Sequence, residues 1–418
     1  MHISHASSIL IWLISLASIF CMLLRPRRIA EAYWISAGAI LLVVARLISL
    51  HQAAHAVYEG LDVYLFLTGM MLLAELAREE RVFEWVADLA AGHAKRSPRR
   101  LFLLVYLVGI VVTALLSNDA TAVVLTPAVL AVVRRANVQP KPYLLACALI
   151  ANAASFIFPI SNPANLVVFD QRMPHLFAWL HIFTLPSSAS VLLTFLCLRW
   201  ISRKQLQGEY RGELKSVALS MEGKFALAGL LLAAAALITS SALGLSLGAP
   251  TCAAAIVAVA IVAWRDHTIP LRAAKGVSWS ILPLVAGLFV IVEALRATGL
   301  LHLGITGLQD LARHSVWIAK FVAALVVALL SNGMNNLPVG LMAGTAIRYQ
   351  HGTGIIGNAI LIGVDLGPNL SVTGSLATIL WLIALRREKV EITAWDFLKV
   401  GMLAMPVALA GSLLLLWR

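Results

Sequence analysis

The sequence predicts an all-α polytopic membrane protein, with two inverted repeats, about ten transmembrane helices, two re-entrant hairpins, and helices broken at the midplane. Three observations point there. The 418 residues are 61% hydrophobic and only 12% charged, far from the make-up of a soluble domain and suited to lipid. Clusters of Ser, Asn, Asp, Gly and Pro interrupt these apolar segments, once from Leu115 onward and again over Leu329–Arg387. Short motifs also recur between the two halves at nearly constant spacing.

Apolar runs fall at about 7–24, 29–50, 61–77, 101–133, 142–169, 176–200, 224–241, 249–264, 279–297, 316–348, 355–385 and 394–416. Two of them, 101–133 and 316–348, are too long for one span and carry Ser-Asn clusters, so each is expected to enter the membrane and return to the same side. A β-barrel would need alternating segments of ~10 residues, which the sequence lacks. The run Ser7–Leu24 has no basic segment before it and no small-residue cleavage site after it, so it is expected to be a membrane helix and not a removed signal peptide.

The net charge of +12 does not indicate nucleic acid, because the cations gather at the ends of apolar runs. With the N-terminus outside, the predicted cytoplasmic loops hold the groups Arg25–Arg28, Arg78–Arg100, Arg134–Lys141, Arg199–Lys224, Arg265–Lys275 and Arg386–Lys389, which contain most of the 32 Lys and Arg. The opposite side holds Arg172, Arg296, Arg313, Lys320, Arg348 and Arg418. Cytoplasmic enrichment of Lys and Arg is the rule for helical membrane proteins, and it places both termini in the periplasm. Cys21, Cys147, Cys197 and Cys252 show no metal-ligand or paired spacing, so no cofactor and no metal are expected.

The halves are related. Thr68–Arg78 and Ala286–Arg296 share GxxxxxExxR, 218 residues apart, and LLSN at Leu115–Asn118 recurs at Leu329–Asn332, 214 residues on. Each half carries an odd number of spans, so the copies are expected to be inverted, as in secondary carriers. Residues 1–200 form the N-terminal repeat, 201–223 a polar cytoplasmic linker, and 224–418 the C-terminal repeat. In GxxxxxExxR, Glu75 with Arg78 and Glu293 with Arg296 are three residues apart on one helical face and are expected to form structural ion pairs. Glu31 and Arg46, within the second run, are expected to pair across helices or to snorkel.

Four interrupted segments carry the chemistry. The first hairpin has Ser117, Asn118, Asp119 and Thr121, and the following span breaks at Pro159–Asn165. The second hairpin has Ser331, Asn332, Gly333, Asn335, Asn336 and Pro338, and the span after it breaks over Asp365–Asn369 and Thr373–Ser375. Backbone that leaves its helix at membrane depth must be buried by protein or line a cavity, and Asn and Ser supply donors and acceptors to meet it. Ser117, Asn118, Asn162, Asn165, Ser331, Asn332, Asn335, Asn336, Asn369 and Thr373 are therefore candidate substrate ligands. An ionised carboxylate at the bilayer centre costs roughly 2.5–3.5 kcal/mol on insertion scales. Asp119 and Asp365 are accordingly expected to be protonated part of the time and to couple transport to protons, against the plainer reading of Asp119 as a helix cap. No Lys or Arg lies in the four segments, which disfavours a dicarboxylate or phosphate and favours a neutral hydroxylated solute or a cation.

LLSNDATAVVLTPAVLAVVRR, SNPANLVVF, SNGMNNLPVGLMAG and GVDLGPNLSVTGSLATILWLIALRRE closely resemble the ArsB family of arsenite/antimonite efflux permeases, within the ion transporter superfamily. The match is dense over about 115–170 and 329–389. The resemblance implies export of As(OH)₃ or Sb(OH)₃ across the inner membrane against proton entry. It also implies hairpins and broken spans that move together, elevator-fashion, and coupling in some members to a cytoplasmic arsenite-stimulated ATPase subunit. This sequence has no GxxxxGK[ST], HExxH or GxSxG, so neither ATP hydrolysis nor a membrane hydrolase is expected of it. A sodium- or proton-coupled carboxylate or Na⁺/H⁺ carrier of the same superfamily is the nearest alternative, and a passive channel shares the broken helices.

Overall fold

A computed structural model describes residues 5–169, 172–208, 218–349 and 354–417. The chain forms helices throughout these residues. The first half runs α1 (His5–Leu24), α2 (Glu31–Val44), α3 (Leu50–Glu59), α4 (Leu61–Glu79), α5 (Val82–His93) and α6 (Pro98–Leu115). It continues with a three-residue turn α7 (Asn118–Ala120), a π-helical turn over Thr121–Leu125, α8 (Thr126–Arg135), α9 (Lys141–Ala153), α10 (Pro163–Phe169) and α11 (Leu176–Ile201). The second half repeats the order with α12 (Met221–Ala242), α13 (Gly248–Ala263), α14 (Ile269–Gly276), α15 (Ile281–Ala297), α16 (Leu300–His314) and α17 (Val316–Met334). Then follow α18 (Asn336–Tyr349), α19 (Ile355–Leu366), α20 (Leu376–Arg387) and α21 (Ala394–Leu415).

Boundary residues keep the two halves in register at 218. Arg81 and Gly299 both take left-handed backbone before α5 and α16, with φ of 56° and 78°. Ser97 and Ser315 both cap the next helix through their hydroxyls, and His175 and Thr393 cap α11 and α21. The LLSN repeat at 214 is thus one helical turn out of this register. The first break falls at Leu116–Ser117, but its counterpart falls at Asn335, whose φ of 75° ends α17. Ser331 and Asn332 lie inside the last turn of α17, not at the break.

Six described helices are long and apolar enough to cross a membrane, or eight if two bent pairs each count as one span: α3 with α4, at 47°, and α14 with α15, at 42°. The second predicted run, 29–50, is shorter than expected. Helix α2 stops at Val44, and the chain turns at Arg46 in left-handed backbone before α3 begins. Its 14 residues span about 21 Å at 1.5 Å each, less than the ~30 Å hydrocarbon core. Glu31 pairs with Arg25 and not with Arg46. Glu75–Arg78 and Glu293–Arg296 are ion pairs, at 2.6 and 3.3 Å. Of the predicted linker, 209–217 lies outside the described residues.

Each half packs on the other. Helix α4 lies on α13 and α15 on α2. Both contacts are made by the glycine of GxxxxxExxR, which lets backbones approach as small residues do between membrane helices. A Cβ on Gly69 would come within 2.7 Å of the Thr251 backbone, and one on Gly287 within 3.2 Å of the Ile35 carbonyl oxygen. Helix α11 packs along α21. The pieces after the breaks cross over reciprocally: α10 packs on α18, and α20 on the π-helical turn. Gly344 admits α10, since a Cβ added there would fall only 2.7 Å from the Val167 and Val168 carbonyl oxygens. Lys320, expected near the outer surface, is fully buried and donates to the Leu416 carbonyl at 2.8 Å, with its ammonium over the Trp317 ring.

Gly69→Val is expected to lower the thermal midpoint in detergent, since overpacking costs about 1–3 kcal/mol. Gly92→Ala, where a Cβ meets nothing within 4 Å, is expected to leave it unchanged or raise it.

Candidate functional site

The broken segments of the two halves meet through side-chain amides. Asn162, just before α10, donates from Nδ2 to Asp365 Oδ1 at 2.7 Å, while its own Oδ1 accepts from the Ala164 N–H at 3.0 Å. Asp365 is fully buried, and its Oδ2 has no partner. Its position on α19 is fixed by the glycines two residues to either side. Gly363 and Gly367 sit against Ala324 and Ala328 of α17, so closely that an added Cβ would fall 2.3 and 2.5 Å from their carbonyl oxygens.

A second bridge joins the predicted Asn369 to a residue that was not predicted, Asn152. Asn152, at the end of α9, donates to Asn369 Oδ1 at 3.0 Å, and Asn369 donates in turn to the Leu149 carbonyl at 3.0 Å. Both amides are fully buried, and the Ser375 hydroxyl reaches Asn152 Oδ1 at 3.4 Å. Asn152 and Asn369 stand 217 residues apart, near the repeat register. The GxxxxxExxR spacing of 218 would not have found Asn152, since it carries Asn369 onto Ala151.

Several candidates serve the breaks themselves. Asn165 points its Nδ2 at three carbonyls freed around the break between α9 and α10, those of Ser155, Phe158 and Pro159, at 2.9, 3.3 and 3.3 Å. Asn332 donates to the Ala328 and Gly367 carbonyls at 2.7 and 2.9 Å, and its Oδ1 accepts from the Ser371 hydroxyl at 2.7 Å. Thr373 donates to the Asn332 carbonyl at 2.9 Å, and Ser331 back-bonds to Val327 in its own helix. Asn335 accepts from the Leu337 N–H at 3.2 Å. Asn336 is buried beside it.

The first hairpin is built differently. Ser117, in extended backbone, caps α7 by accepting from the Ala120 N–H at 3.2 Å. Asp119 is therefore not the cap. It is partly exposed and lines a small cavity of about 60 Å³ with Glu75, Ser117, Met70, Pro163 and Leu380. The two carboxylates are connected through α10, since Asn162 holds Asp365 and its neighbour Pro163 lines the cavity of Asp119. Ser161 ties this break to the hairpin by donating to the Ala114 carbonyl at 3.1 Å. Asn118 is 3% exposed, and its Oδ1 has no partner.

Three buried oxygens on the broken segments thus lack partners: Asn118 Oδ1, Asn165 Oδ1 and Asp365 Oδ2. A buried polar atom without a partner is costly. All three are acceptors, so the chemistry they suit is a small donor or a cation.

Helices broken in apolar surroundings, paired between two repeats and clasped to each other by amides, define a membrane transporter of the ion transporter superfamily. The chain belongs to the citrate transporter family CitMHS, whose model matches residues 19–367. Among curated relatives, two arsenical pump membrane proteins of Escherichia coli are 28% and 26% identical to it. The first alignment covers 81% of this chain and 82% of the relative, and the second 93% and 94%. A 46 kDa membrane protein of Mycobacterium leprae is 24% identical, covering 91% and 92%. The resemblance to the ArsB family read from the sequence is thereby borne out. Among solved structures, the YdaH transporter of Alcanivorax borkumensis shares the fold with a TM-score of 0.57 at 13% identity, over 87% of this chain and 86% of that one.

Asn152→Ala and Asn369→Ala are each expected to cost about 1–3 kcal/mol, because each leaves a buried amide unpaired. The double variant should cost less than the sum of the singles, as a double-mutant cycle of thermal or denaturant unfolding would show.

Proposed function

We propose that this protein is a secondary transporter of the inner membrane that exports arsenite or antimonite, as neutral As(OH)₃ or Sb(OH)₃, from cytoplasm to periplasm in exchange for protons. The observation that carries the reading is the set of three unpartnered buried acceptors on the broken segments, without a Lys or Arg in those segments. A trihydroxy solute brings three O–H donors and no net charge, so it meets such acceptors without a counter-ion. A dicarboxylate brings acceptors and negative charge, which these groups repel.

Exchange follows from competition for the same lone pairs. With solute bound, Asp365 Oδ2 accepts a hydroxyl hydrogen. When the solute leaves, the carboxylate is left without a partner in a dry site, where ionisation is costly, and it takes up a proton instead. The proton must leave before the next solute can bind. Asp119, at the cavity beside Glu75, is placed to pass protons between that site and water. Ser117, Asn118, Asn162 and Asn165 from the first repeat, with Ser331, Asn332, Asn335, Asn336, Asn369 and Thr373 from the second, form or brace the pocket. The helix–break–helix units α6–α8 and α17–α18 are read as re-entrant hairpins in oppositely oriented repeats, moving with α9–α10 and α19–α20 against α4 and α15. Both termini are periplasmic in this arrangement, and an arsenite-stimulated ATPase subunit would dock on the basic cytoplasmic side. The family's description as citrate transporters favours a second reading, a proton- or sodium-coupled carboxylate carrier.

Purified protein in liposomes, with an imposed pH gradient and no Na⁺, is expected to accumulate arsenite uphill. Citrate flux in its place, an absolute need for Na⁺, or purely downhill arsenite flow would each overturn the proposal. Asp365→Asn should abolish uphill movement while the protein still reaches the membrane. Acidifying the binding side should raise the apparent KM for arsenite in the wild type, because protons occupy the acceptor the solute needs, and a KM that ignores pH would count against competition.

A further inference from the structure

The outer flank of the first half carries a groove of about 430 Å³ between α5, α6 and α12. Its walls are apolar, with Val86 and Leu89 from α5, Leu107 and Val111 from α6, and Leu230 and Leu231 from α12. At one end of the groove stand four exposed cations, Lys95 and Arg96 in the turn joining α5 to α6 and Arg99 and Arg100 in the first turn of α6. Helical spacing sets one of them, Arg100, at its mouth, and Arg96 lies in the turn beside it. On α6, Arg100 is followed by the groove residues Leu104, Leu107, Val108 and Val111, at intervals that share one face. On α5, the groove residues Val86, Ala90 and His93 run to the end of the helix, and Arg96 follows three residues on, in the left-handed backbone of the turn. None of the four cations forms an ion pair within the described residues, although Arg81 at the other end of α5 is paired with Glu84.

The second repeat gives an internal comparison. Its equivalent groove, between α1, α16 and α17, is larger, at about 640 Å³, and equally apolar. At the 218-residue register, however, the four cations are replaced by Arg313, His314, Trp317 and Ile318. Arg313 is already paired with Asp310, at 3.0 Å. The positive-inside rule accounts for the side on which the first cluster lies. It does not account for four cations without acidic partners gathered at the mouth of an apolar groove between α5, α6 and α12.

We propose that this groove is a binding site for an anionic phospholipid of the cytoplasmic leaflet. One acyl chain lies between α5, α6 and α12, and the phosphodiester is held by Arg96 and Arg100 with Lys95 and Arg99 around it. The lipid would link the hairpin leg α6 to α12, which belongs to the other repeat.

The test uses the full chain, reconstituted in mixed phosphatidylglycerol and phosphatidylcholine, then extracted into detergent and weighed by native mass spectrometry. Wild type is expected to retain one phosphatidylglycerol in preference to phosphatidylcholine. Arg96→Gln with Arg100→Gln should reduce that retention by roughly tenfold or more, given the attraction of each cation for anionic lipid. Leu231→Trp fills the groove without changing charge, and because Leu231 is 56% exposed the ring is accommodated without disturbing the core. It should release the same lipid. Equal retention of the two lipids by wild type overturns the site, as does unchanged retention in the double variant. Loss in the double variant but not in Leu231→Trp also overturns it, because the cations would then act as a surface patch with no groove.

Discussion

A helix that breaks inside a bilayer leaves carbonyls and N–H groups with no water to receive them, and the architecture of this protein follows from how they are satisfied. Asn165 alone gathers three carbonyls freed at the break between α9 and α10. Asn332 spans from its own helix to the Gly367 carbonyl at the break between α19 and α20. Both use the same device, a side-chain amide standing in for the missing turn of backbone. The abundance of Asn at the breaks is thus explained first by backbone chemistry and only then by any solute. The oxygens left over, on Asn118, Asn165 and Asp365, are what remains once the backbone has been served.

Small residues set where those amides can meet. Gly363 and Gly367 bring α19 against α17 at backbone distance, and Asp365 lies between them facing Asn162 from the other half. Gly344 does the same for α10 on α18. Without these close approaches the two breaks would be held apart by side chains, and the Asn162–Asp365 and Asn152–Asn369 bridges could not form. The glycine of GxxxxxExxR plays the equivalent part in the surrounding helices, which explains why that motif, with its structural ion pair, recurs in both halves.

Periodicity, composition and motif spacing made the class, the repeat and the four breaks legible, because each follows from hydropathy or from the placing of Gly, Pro and Asn. The exact register was not legible from LLSN alone. The same four letters end one helix at Ser117 but lie inside another at Ser331, because what ends α17 is the left-handed backbone of Asn335. The short α2 was hidden for a similar reason: Arg46 turns the chain within a run that stays apolar through Leu50. Asn152 was passed over because it sits in a helix, in CALIANAAS, without a Pro or Gly to mark it. Its role depends on a partner 217 residues away. Long-range partnership of this kind can be read from a sequence only after the repeat register is known to the residue.

The polarity of the leftover groups constrains what the breaks can hold. Amide N–H groups are the scarcer resource here, since Asn165, Asn332 and Asn369 all spend theirs on carbonyls. Acceptors are in surplus. A site with surplus acceptors and one carboxylate, as proposed here, rewards guests that donate hydrogen bonds and carry no negative charge. Selectivity against anions would then arise without a repelling residue placed for that purpose, as a by-product of satisfying broken backbone. On the proposed reading, substituting a cation near Asp365 would neutralise the carboxylate and supply donors together, removing both the reason for a hydroxylated guest to bind and the reason for a proton to replace it.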